Sequence, residues 1–339
     1  MLLPHNPSAF RRALLAWFAK YGRDLPWRRT HDAYAILVSE FMLQQTQVAT
    51  VIPYYREWLR RFPDVATLAA APESDVLHAW QGLGYYARSR NLHATAKIIA
   101  EQHGGEFPRD ASVAGKLPGL GRYTANAVST FAFDAALPIV ETNIARVLSR
   151  LFNVRLPIDS TAGRNALWET AAALIPQKRA GTYNSALMDL GAAICIARAP
   201  KCDICPVRDY CLAPDPANLP VKQPRRAVQL LTEDHAFVRS AGKILLEQSE
   251  ERWRGLWIVP RLIGAAPDRE PIYTAEFPFT HHRITLRVFR RAMEKSTARC
   301  WFQIRELKSL AIPSPHRRAI EALLRNSTLD VRRSAFDVC

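Results

Sequence analysis

Apolar residues recur at three- and four-residue spacing through most of residues 8–211. This spacing lines one face of a helix, so it predicts a mostly helical region. Short segments that contain glycine and proline, such as FPD, HGGEFP and LPGLG, separate the predicted helices. The sequence therefore predicts an all-helical first part.

A different pattern follows residue 227. Runs rich in β-forming residues predict short strands at AVQLL, HAFVRS, KILLEQ, LWIVP and RITLRVFR, and PHRRAIEALLRN predicts a closing helix. Residues 213–227 hold four prolines and no apolar periodicity, which is typical of a stiff linker. We therefore expect a helical part over 1–212, a linker over 213–227 and a smaller α+β domain over 228–339.

Basic residues outnumber acidic ones, with 46 Lys and Arg against 31 Asp and Glu and a net charge of +15. This excess favours a polyanion or an acidic membrane surface as partner, and solvated surface charge is the alternative. No apolar stretch approaches the length of a membrane span, and the N-terminus lacks the features of a secretion signal. We therefore expect a protein that is neither secreted nor inserted in a membrane.

Four cysteines, Cys195, Cys202, Cys205 and Cys211, lie within 17 residues of each other. In a chain without a secretion signal this grouping favours a metal site over disulfides, and a few buried free thiols are the alternative. Four thiolates hold either tetrahedral zinc or an iron–sulfur cluster, and the residues alone leave both open.

The segment LPGLGRYTANAV places Gly119 and Gly121 before a predicted helix. Glycines permit turns with positive φ and a close approach of the backbone to a ligand. Backbone N–H groups at such a helix N-terminus form an anion site. The segment therefore indicates a phosphate contact, although many helices begin after similar turns.

The segment VSEFMLQQTQV sets Glu40 in an apolar run. Apolar surroundings raise the pKa of a carboxyl group, which suits a proton donor, whereas an exposed glutamate on an amphipathic helix is the ordinary alternative. Tyr34, Ile36, Leu37 and Val38 are expected to form the buried half of this helix. Thr46 is a favourable N-cap, so we expect a new helix after it and an end of the Glu40 helix at residues 44–45.

Several of these segments together resemble one family, the adenine DNA glycosylases of the MutY type in the endonuclease III superfamily. They match in order over about residues 8–212, and two further segments match more loosely after the linker. The segments are LPWRR, SEFMLQQTQVATVIPYY, GLGYYARSRNLH, LPGLGRYTANAV, NIARVLSRLF, MDLGAAIC, the four-cysteine loop, GLWIVP and FPFTHHRITL.

The resemblance implies a fold and a cofactor. It implies a mainly α helix-hairpin-helix glycosylase, with a six-helix barrel over about 25–135 and a cluster domain over about 1–24 and 136–212. The four cysteines would hold a 4Fe–4S cluster. Residues 228–339 would form a Nudix-like domain that reads 8-oxoguanine, although no glutamate-rich Nudix box lies between Trp257 and Phe277.

The resemblance also implies an activity, which is hydrolytic removal of adenine mispaired with 8-oxoguanine or guanine. Glu40 would protonate adenine, and Glu141 and Asn143 would belong to the catalytic group. Bifunctional relatives have lysine where this chain has Tyr123, which implies a monofunctional enzyme without lyase activity. The family has aspartate where this chain has Glu141 and glycine where it has Thr142.

DNA contacts are implied for residues in both parts of the chain. Trp27 and Arg28 match the adenine pocket, and Gln45 and Thr46 match residues at the partner purine. Leu83 and Tyr85 match the intercalating loop, and Gly119 and Gly121 match the hairpin that binds a phosphate. Thr280 and His281 match the loop that contacts 8-oxoguanine. The implied partner is mispaired double-stranded DNA. A monomer in the bacterial cytoplasm, associated with the nucleoid, is expected.

Two alternatives remain open because of Glu141. One is a thymine or uracil mismatch glycosylase of the same superfamily. The other is a lesion-binding protein without catalysis, since a displacement of about 1 Å in a preorganised site can cost roughly a hundredfold in rate.

Overall fold

The computed structural model describes residues 6–224, 227–262, 264, 268–291 and 297–325. These residues form two compact units. The first unit contains the described residues up to 70 together with 91–224, and the second contains 71–90 together with the described residues after 226. The division between 224 and 227 falls within the segment predicted as a linker.

The helices confirm the predicted all-helical first part. No helix among the described residues is long and apolar enough to cross a membrane. The α-helices are α1 Pro7–Tyr21, α2 Ala33–Leu43, α3 Val48–Arg61, α4 Val65–Ala70, α5 Glu73–Ala79, α6 Ala87–Gln102, α7 Ala111–Ala114, α8 Arg122–Phe133, α9 Thr142–Leu151, α10 Thr161–Leu174, α11 Ala180–Ala193 and α12 Ser314–Arg325.

Helix α2 differs from the half-buried helix that was expected. Every side chain from Tyr34 to Met42 is buried, so the helix is covered on all sides. A helix that is apolar all round belongs in a core, and the sequence of α2 is apolar at nearly every position. Asp32 begins the helix by accepting a hydrogen bond from the backbone N–H of Tyr34 at 2.9 Å.

The turn after α2 ends the helix where the sequence predicted, with Gln44 as the C-cap. The prediction that Thr46 caps the next helix is wrong, because α3 begins at Val48 with Gln47 as its N-cap. Gln45 has a φ of 56°, and this left-handed residue turns Thr46 back towards α2. The Thr46 hydroxyl lies 3.4 Å from the carbonyl oxygen of Gln44.

The glycine turn between α7 and α8 uses its two glycines differently. Gly119 has a φ of 76°, and a Cβ there would meet Asn91 Cβ at 2.8 Å and Phe41 at 3.0 Å. Gly121 is the N-cap of α8 with a φ of −85°, a value open to any residue. The expectation of positive φ therefore holds for Gly119 and is wrong for Gly121.

The core of the first unit includes side chains from α1, α8, α9, α10 and α11. Phe10 and Leu14 of α1 are fully buried against this group, as are Ile144 and Leu148 of α9. Cys195, Cys205 and Cys211 pack on the same cluster of apolar residues. The loop that carries the cysteines is therefore anchored to the helical core.

The second unit contains two small sheets and helix α12. One sheet has the order β1-β6-β5, with β1 parallel to β6, and the other joins β3 to β2, β4 and β7. The strands are β1 Gln229–Phe237, β2 Arg239–Ser240, β3 Lys243–Gln248, β4 Trp257–Ile258, β5 Tyr273–Phe279, β6 His282–Arg290 and β7 Arg299–Gln303.

The strand predictions are confirmed for β3, β4 and β6, and α12 confirms the closing helix. The predicted runs AVQLL and HAFVRS are joined, because β1 continues from the first into the second as far as Phe237, and the last two residues of HAFVRS form β2. Strands β5 and β7 were not predicted. Pro278 interrupts the pattern of the first, and the second is largely exposed, so neither shows a clear apolar alternation.

The two glycines of the hairpin give a matched pair of variants. Gly119→Ala should lower the free energy of unfolding by about 1–3 kcal/mol, because it combines backbone strain with a clash against Asn91. Gly121→Ala, which meets nothing within 4 Å, should cost only about 0.5 kcal/mol, because alanine is the poorer N-cap but needs no strained backbone. Urea denaturation of both variants checks this, and equal losses would contradict it.

Candidate active site and iron–sulfur loop

Glu40 lies in the third turn of α2, and its side chain is 4% exposed. Burial raises the pKa of this carboxyl group to about 7, and the hydrogen bond from Tyr123 and the charge of Arg28 only partly oppose the effect. The nearby Glu141 carboxylate raises the pKa further by repulsion. Glu40 can therefore carry a proton near neutral pH, as a general acid must.

Glu141 is the N-cap of α9. Its Oε2 accepts a hydrogen bond from the backbone N–H of Asn143 at 2.7 Å, and its Oε1 accepts one from Ile144 at 2.9 Å. Burial raises the pKa of Glu141, against the lowering by these two amides and by Arg146 and Arg23. The extra methylene, compared with aspartate, is accommodated by folding the carboxylate back onto the helix end.

Tyr123 lies at the start of α8 and is partly buried. Its pKa is raised well above the usual value, first by burial and then by repulsion from Glu40 and Glu141. The phenol is therefore a neutral hydrogen-bond donor to the Glu40 carboxyl group. The structure thus brings together three of the residues that the sequence placed in one catalytic group.

Asn143 is the fourth residue of the predicted catalytic group, and hydrogen bonds through Arg146 link it to the cysteine loop. Its side-chain oxygen accepts a hydrogen bond from Arg146 Nη2 at 2.7 Å. The same guanidinium donates to the carbonyl oxygens of Gly191 at 2.7 Å and Cys195 at 2.8 Å. The first turn of α9 is therefore joined by hydrogen bonds to the first cysteine of the loop.

All four cysteines line one cavity of about 270 Å³. Their thiols form no disulfide. Arg150 is 1% exposed, and its Nη1 lies 3.3 Å from Cys195 Sγ while the guanidinium also donates to the carbonyl oxygens of Ile196 and Ala197. No three His, Cys, Asp or Glu side chains in the described ranges are grouped around a single ion position.

An iron–sulfur cluster is held by four cysteine thiolates, and the four cysteines that line this cavity can supply them. A thiolate-bound cluster is anionic, and Arg146 and Arg150 place two cations beside its first ligand. The pKa of the Cys205 thiol is raised to about 11, first by burial and then by its neighbouring cysteines, so in the free protein this thiol keeps its proton.

Arg28 and Trp27 lie in the short 3-10 turn Pro26–Arg28. Trp27 is 8% exposed and packs edge-on against Tyr55 at 5.4 Å between ring centroids. Arg28 forms two hydrogen bonds with Asp189 of α11, at 2.8 and 2.9 Å. The resemblance implied an adenine-pocket role for Arg28, and in the structure its side chain is 16% exposed and paired with the buried carboxylate of Asp189.

Gln45 and Tyr85 share an uncommon backbone conformation. Both have a positive φ, 56° for Gln45 and 48° for Tyr85, although neither is glycine. Both side chains are exposed, and Tyr85 is 43% accessible. Strained residues of this kind concentrate at functional sites. Leu83, in contrast, is 6% exposed, so the structure does not present it at the surface.

Thr280 and His281 form the tight turn between β5 and β6. Thr280 is exposed with a φ of 53°, and its hydroxyl lies 3.4 Å from His281 Nδ1. The preceding Phe279 packs edge-on against Trp253 at 5.3 Å. The turn is thus held by an aromatic contact on one side while its polar groups remain open to solvent.

Sequence reasoning missed Asp189, Arg23 and Arg150. Asp189 lies within the segment MDLGAAIC, which contributed only to the resemblance. A charged residue among apolar ones was the available signal, and it is the same signal that singled out Glu40.

Comparisons with known proteins agree with this geometry. The model of the HhH-GPD superfamily base excision DNA repair proteins matches residues 38–171, and the model of the iron-sulfur binding domain of endonuclease III matches residues 195–211. The second match spans the whole four-cysteine loop, which is therefore the 4Fe–4S binding segment of the chain.

Curated relatives carry the name adenine DNA glycosylase. The protein of Mycobacterium tuberculosis (strain CDC 1551 / Oshkosh) is 40% identical over 233 residues, which cover 68% of this chain and 76% of the relative. The human protein is 44% identical over 215 residues, which cover 61% of this chain and 39% of the relative. The chain thus spans about two fifths of its rat and human relatives.

Solved structures share the fold of the helical part. A thermostable thymine-DNA glycosylase superposes with a TM-score of 0.57 at 30% identity, over 61% of this chain and 95% of that protein. A trapped endonuclease III–DNA covalent intermediate gives a TM-score of 0.54 at 23% identity, over 62% of this chain and 97% of that one. The helix-hairpin-helix fold is therefore established.

The buried Glu40 should reduce stability at alkaline pH. Its folded pKa of about 7 lies above the ordinary 4.5, so its contribution to stability is full below pH 4.5 and is lost as pH rises through 7. Glu40→Gln does not titrate. Its thermal midpoint relative to the unaltered protein should therefore rise progressively between pH 5 and pH 8. A constant difference over this range would contradict the raised pKa.

Proposed function

The chain belongs to the adenine DNA glycosylase family, and from this membership we propose that it excises adenine mispaired with 8-oxoguanine or guanine in double-stranded DNA. The reaction is hydrolysis of the N-glycosidic bond. The observation that carries the proposal is the buried Glu40, which is held protonated near neutral pH beside Tyr123 and Glu141.

Departure of a base needs a proton on the leaving group and a negative charge near the oxocarbenium-like sugar. Glu40 supplies the proton and, once ionised, is placed to activate water. Glu141 provides the second carboxylate, anchored by the amides of Asn143 and Ile144. A carboxylate that is already oriented in this way needs no rearrangement as positive charge develops, which is the condition for electrostatic stabilisation.

The enzyme is monofunctional in this proposal. Formation of a Schiff base with the sugar requires an amine, and Tyr123 places a phenol with a strongly raised pKa next to Glu40 instead. The product is then an intact strand with an abasic site.

Access to the base requires flipping it out of the duplex. Gln45 in the first unit and Tyr85 in the second each have a positive φ and an exposed side chain, and each is a candidate for insertion into the duplex. The N-terminus of α8 behind Gly119 and Gly121 offers backbone amides to a phosphate. Thr280 and His281 serve as the contact for 8-oxoguanine, and the protein acts as a monomer.

The test is single-turnover incubation with a duplex containing adenine opposite 8-oxoguanine, followed by hot alkali. Strand breaks at the adenine should appear only after alkali. Glu40→Gln should lower the rate by at least a hundredfold, because its amide cannot donate the proton. The control Glu57→Gln removes an exposed carboxylate on α3 and should leave the rate unchanged.

Breaks without alkali would contradict the absence of lyase activity. Binding of the duplex without any breaks would select the lesion-binding alternative. Release of thymine or uracil from G:T or G:U duplexes, with no release of adenine, would select the other mismatch glycosylase.

The charge of Glu141 should matter more than its length. Glu141→Gln should lower the excision rate by about a hundredfold, because it removes the charge that faces the developing oxocarbenium. Glu141→Asp should stay within about tenfold of the unaltered enzyme, since aspartate also caps helices and keeps the charge. The control Ser160→Ala removes the cap of α10 and should reduce stability without changing excision. Equal rates for Glu141→Gln and the unaltered enzyme would contradict this role.

A further inference from the structure

Asp189 is a buried carboxylate near the C-terminal end of α11, and its side chain is 1% exposed. Its Oδ2 accepts hydrogen bonds from Arg28 Nη1 and from the backbone N–H of Arg23, each at 2.8 Å. Its Oδ1 accepts bonds from Arg23 Nε at 2.7 Å and Arg28 Nη2 at 2.9 Å. The Asp189 carboxylate therefore binds two arginines at once.

The group is locked internally. Arg28 Nη1 also donates to the carbonyl oxygen of Arg23 at 3.0 Å, so the two arginines are fixed to each other as well as to Asp189. Burial raises the pKa of Asp189, but the hydrogen bonds from Arg28 and Arg23 outweigh it, and the net pKa lies below the usual value. Asp189 is therefore ionised at neutral pH, and the three side chains together carry a single positive charge.

This group lies where α11 packs against the start of α9, since a Cβ at Gly191, two residues after Asp189, would lie 2.7 Å from Asn143 Cβ. The charge of Arg28 acts on Glu40, and the charge of Arg23 acts on Glu141. The other groups that act on Glu40 are Tyr123 of α8 and Glu141 at the start of α9. Arg146 also acts on Glu141.

We propose that Asp189 is a positioning residue that holds Arg28 and Arg23 beside the two carboxylates and offsets half of their charge. This inference rests on the proposed glycosylase function. Without the offset, two positive charges would favour ionised Glu40 and reduce its capacity to donate a proton. Without the grip, both guanidinium groups would lose the two-point contact that fixes their planes.

A purely structural role gives a different expectation. If Asp189 only ties the 3-10 turn to α11, its loss would lower stability and leave the protonation of Glu40 unchanged. The protonation state of Glu40 is therefore the readout that separates the two roles.

The test is a titration of Glu40 in the free protein by NMR of 13C-labelled glutamate carboxyl groups. The resonance is assigned by its disappearance in Glu40→Gln. Asp189→Asn should lower the Glu40 midpoint by about one pH unit, because an uncompensated cation then faces the carboxyl group. Arg28→Gln should raise the midpoint, and Glu57→Gln should leave it unchanged. An unchanged or raised midpoint in Asp189→Asn overturns the proposal.

Excision supplies the second readout. The single-turnover rate of Asp189→Asn on an adenine–8-oxoguanine duplex should fall more at pH 8 than at pH 5.5. The reason is that Glu40 in this variant loses its proton at a lower pH than in the unaltered enzyme. Arg28→Lys keeps the charge and loses the two-point grip, so its rate should fall about tenfold or more. A rate for Arg28→Lys equal to that of the unaltered enzyme overturns the positioning role, even if Asp189→Asn does not fold.

The two proposals fail in distinguishable ways. An unaltered protein that releases no adenine overturns the proposed function. The NMR midpoints do not depend on activity and still decide whether Asp189 controls the charge on Glu40.

Discussion

The chemistry of the candidate site depends on the burial of one carboxyl group in an otherwise apolar helix. Helix α2 is covered on all sides, and Glu40 is the acidic residue within it. Burying an ionised carboxylate is costly, so the group shifts its pKa and keeps its proton. The same desolvation that makes Glu40 unfavourable for stability makes it an acid at neutral pH, because the proton can then be given to a leaving base.

The surroundings of Glu40 include charges of both signs, which act on its proton in opposite directions. Tyr123 donates a hydrogen bond to it, Glu141 repels its ionised form, and Arg28 attracts that form from within an ion pair with Asp189. Opposing contributions of this kind leave the pKa near 7 rather than far above it. The proton is therefore held firmly enough to be present and weakly enough to be transferred.

Helices α9 and α11 join the catalytic group to the cysteine loop. Gly191 permits this approach, since a Cβ there would lie 2.7 Å from Asn143 Cβ. Arg146 and Arg150 then satisfy the carbonyl oxygens at the start of the loop, where α11 has ended. A 4Fe–4S cluster held by the four cysteines would therefore close a loop whose first residue is already fixed by the helix that carries Glu141 at its start. Disorder of this loop is therefore expected to disturb Glu141, because only the hydrogen bonds of Arg146 and Asn143 separate it from Cys195.

The sequence by itself determined the local features. Apolar spacing identified the helices, the cysteine spacing identified a metal site, and an acid in an apolar run identified Glu40. It did not determine that α3 begins only at Val48, with Gln47 as its N-cap, because the turn depends on the left-handed Gln45. It also did not reveal β5 and β7, whose strand character comes from their pairing with β6 and β3.

The tertiary structure alone decided which charges meet. Asp189 and Arg28 are separated by 161 residues, and nothing local in either segment indicates the other. Local propensity depends on neighbours in the chain, whereas the pKa of a buried group depends on every charge that folding brings near it. For this protein the sequence therefore identified the acid, and only the fold set the charges that control its proton.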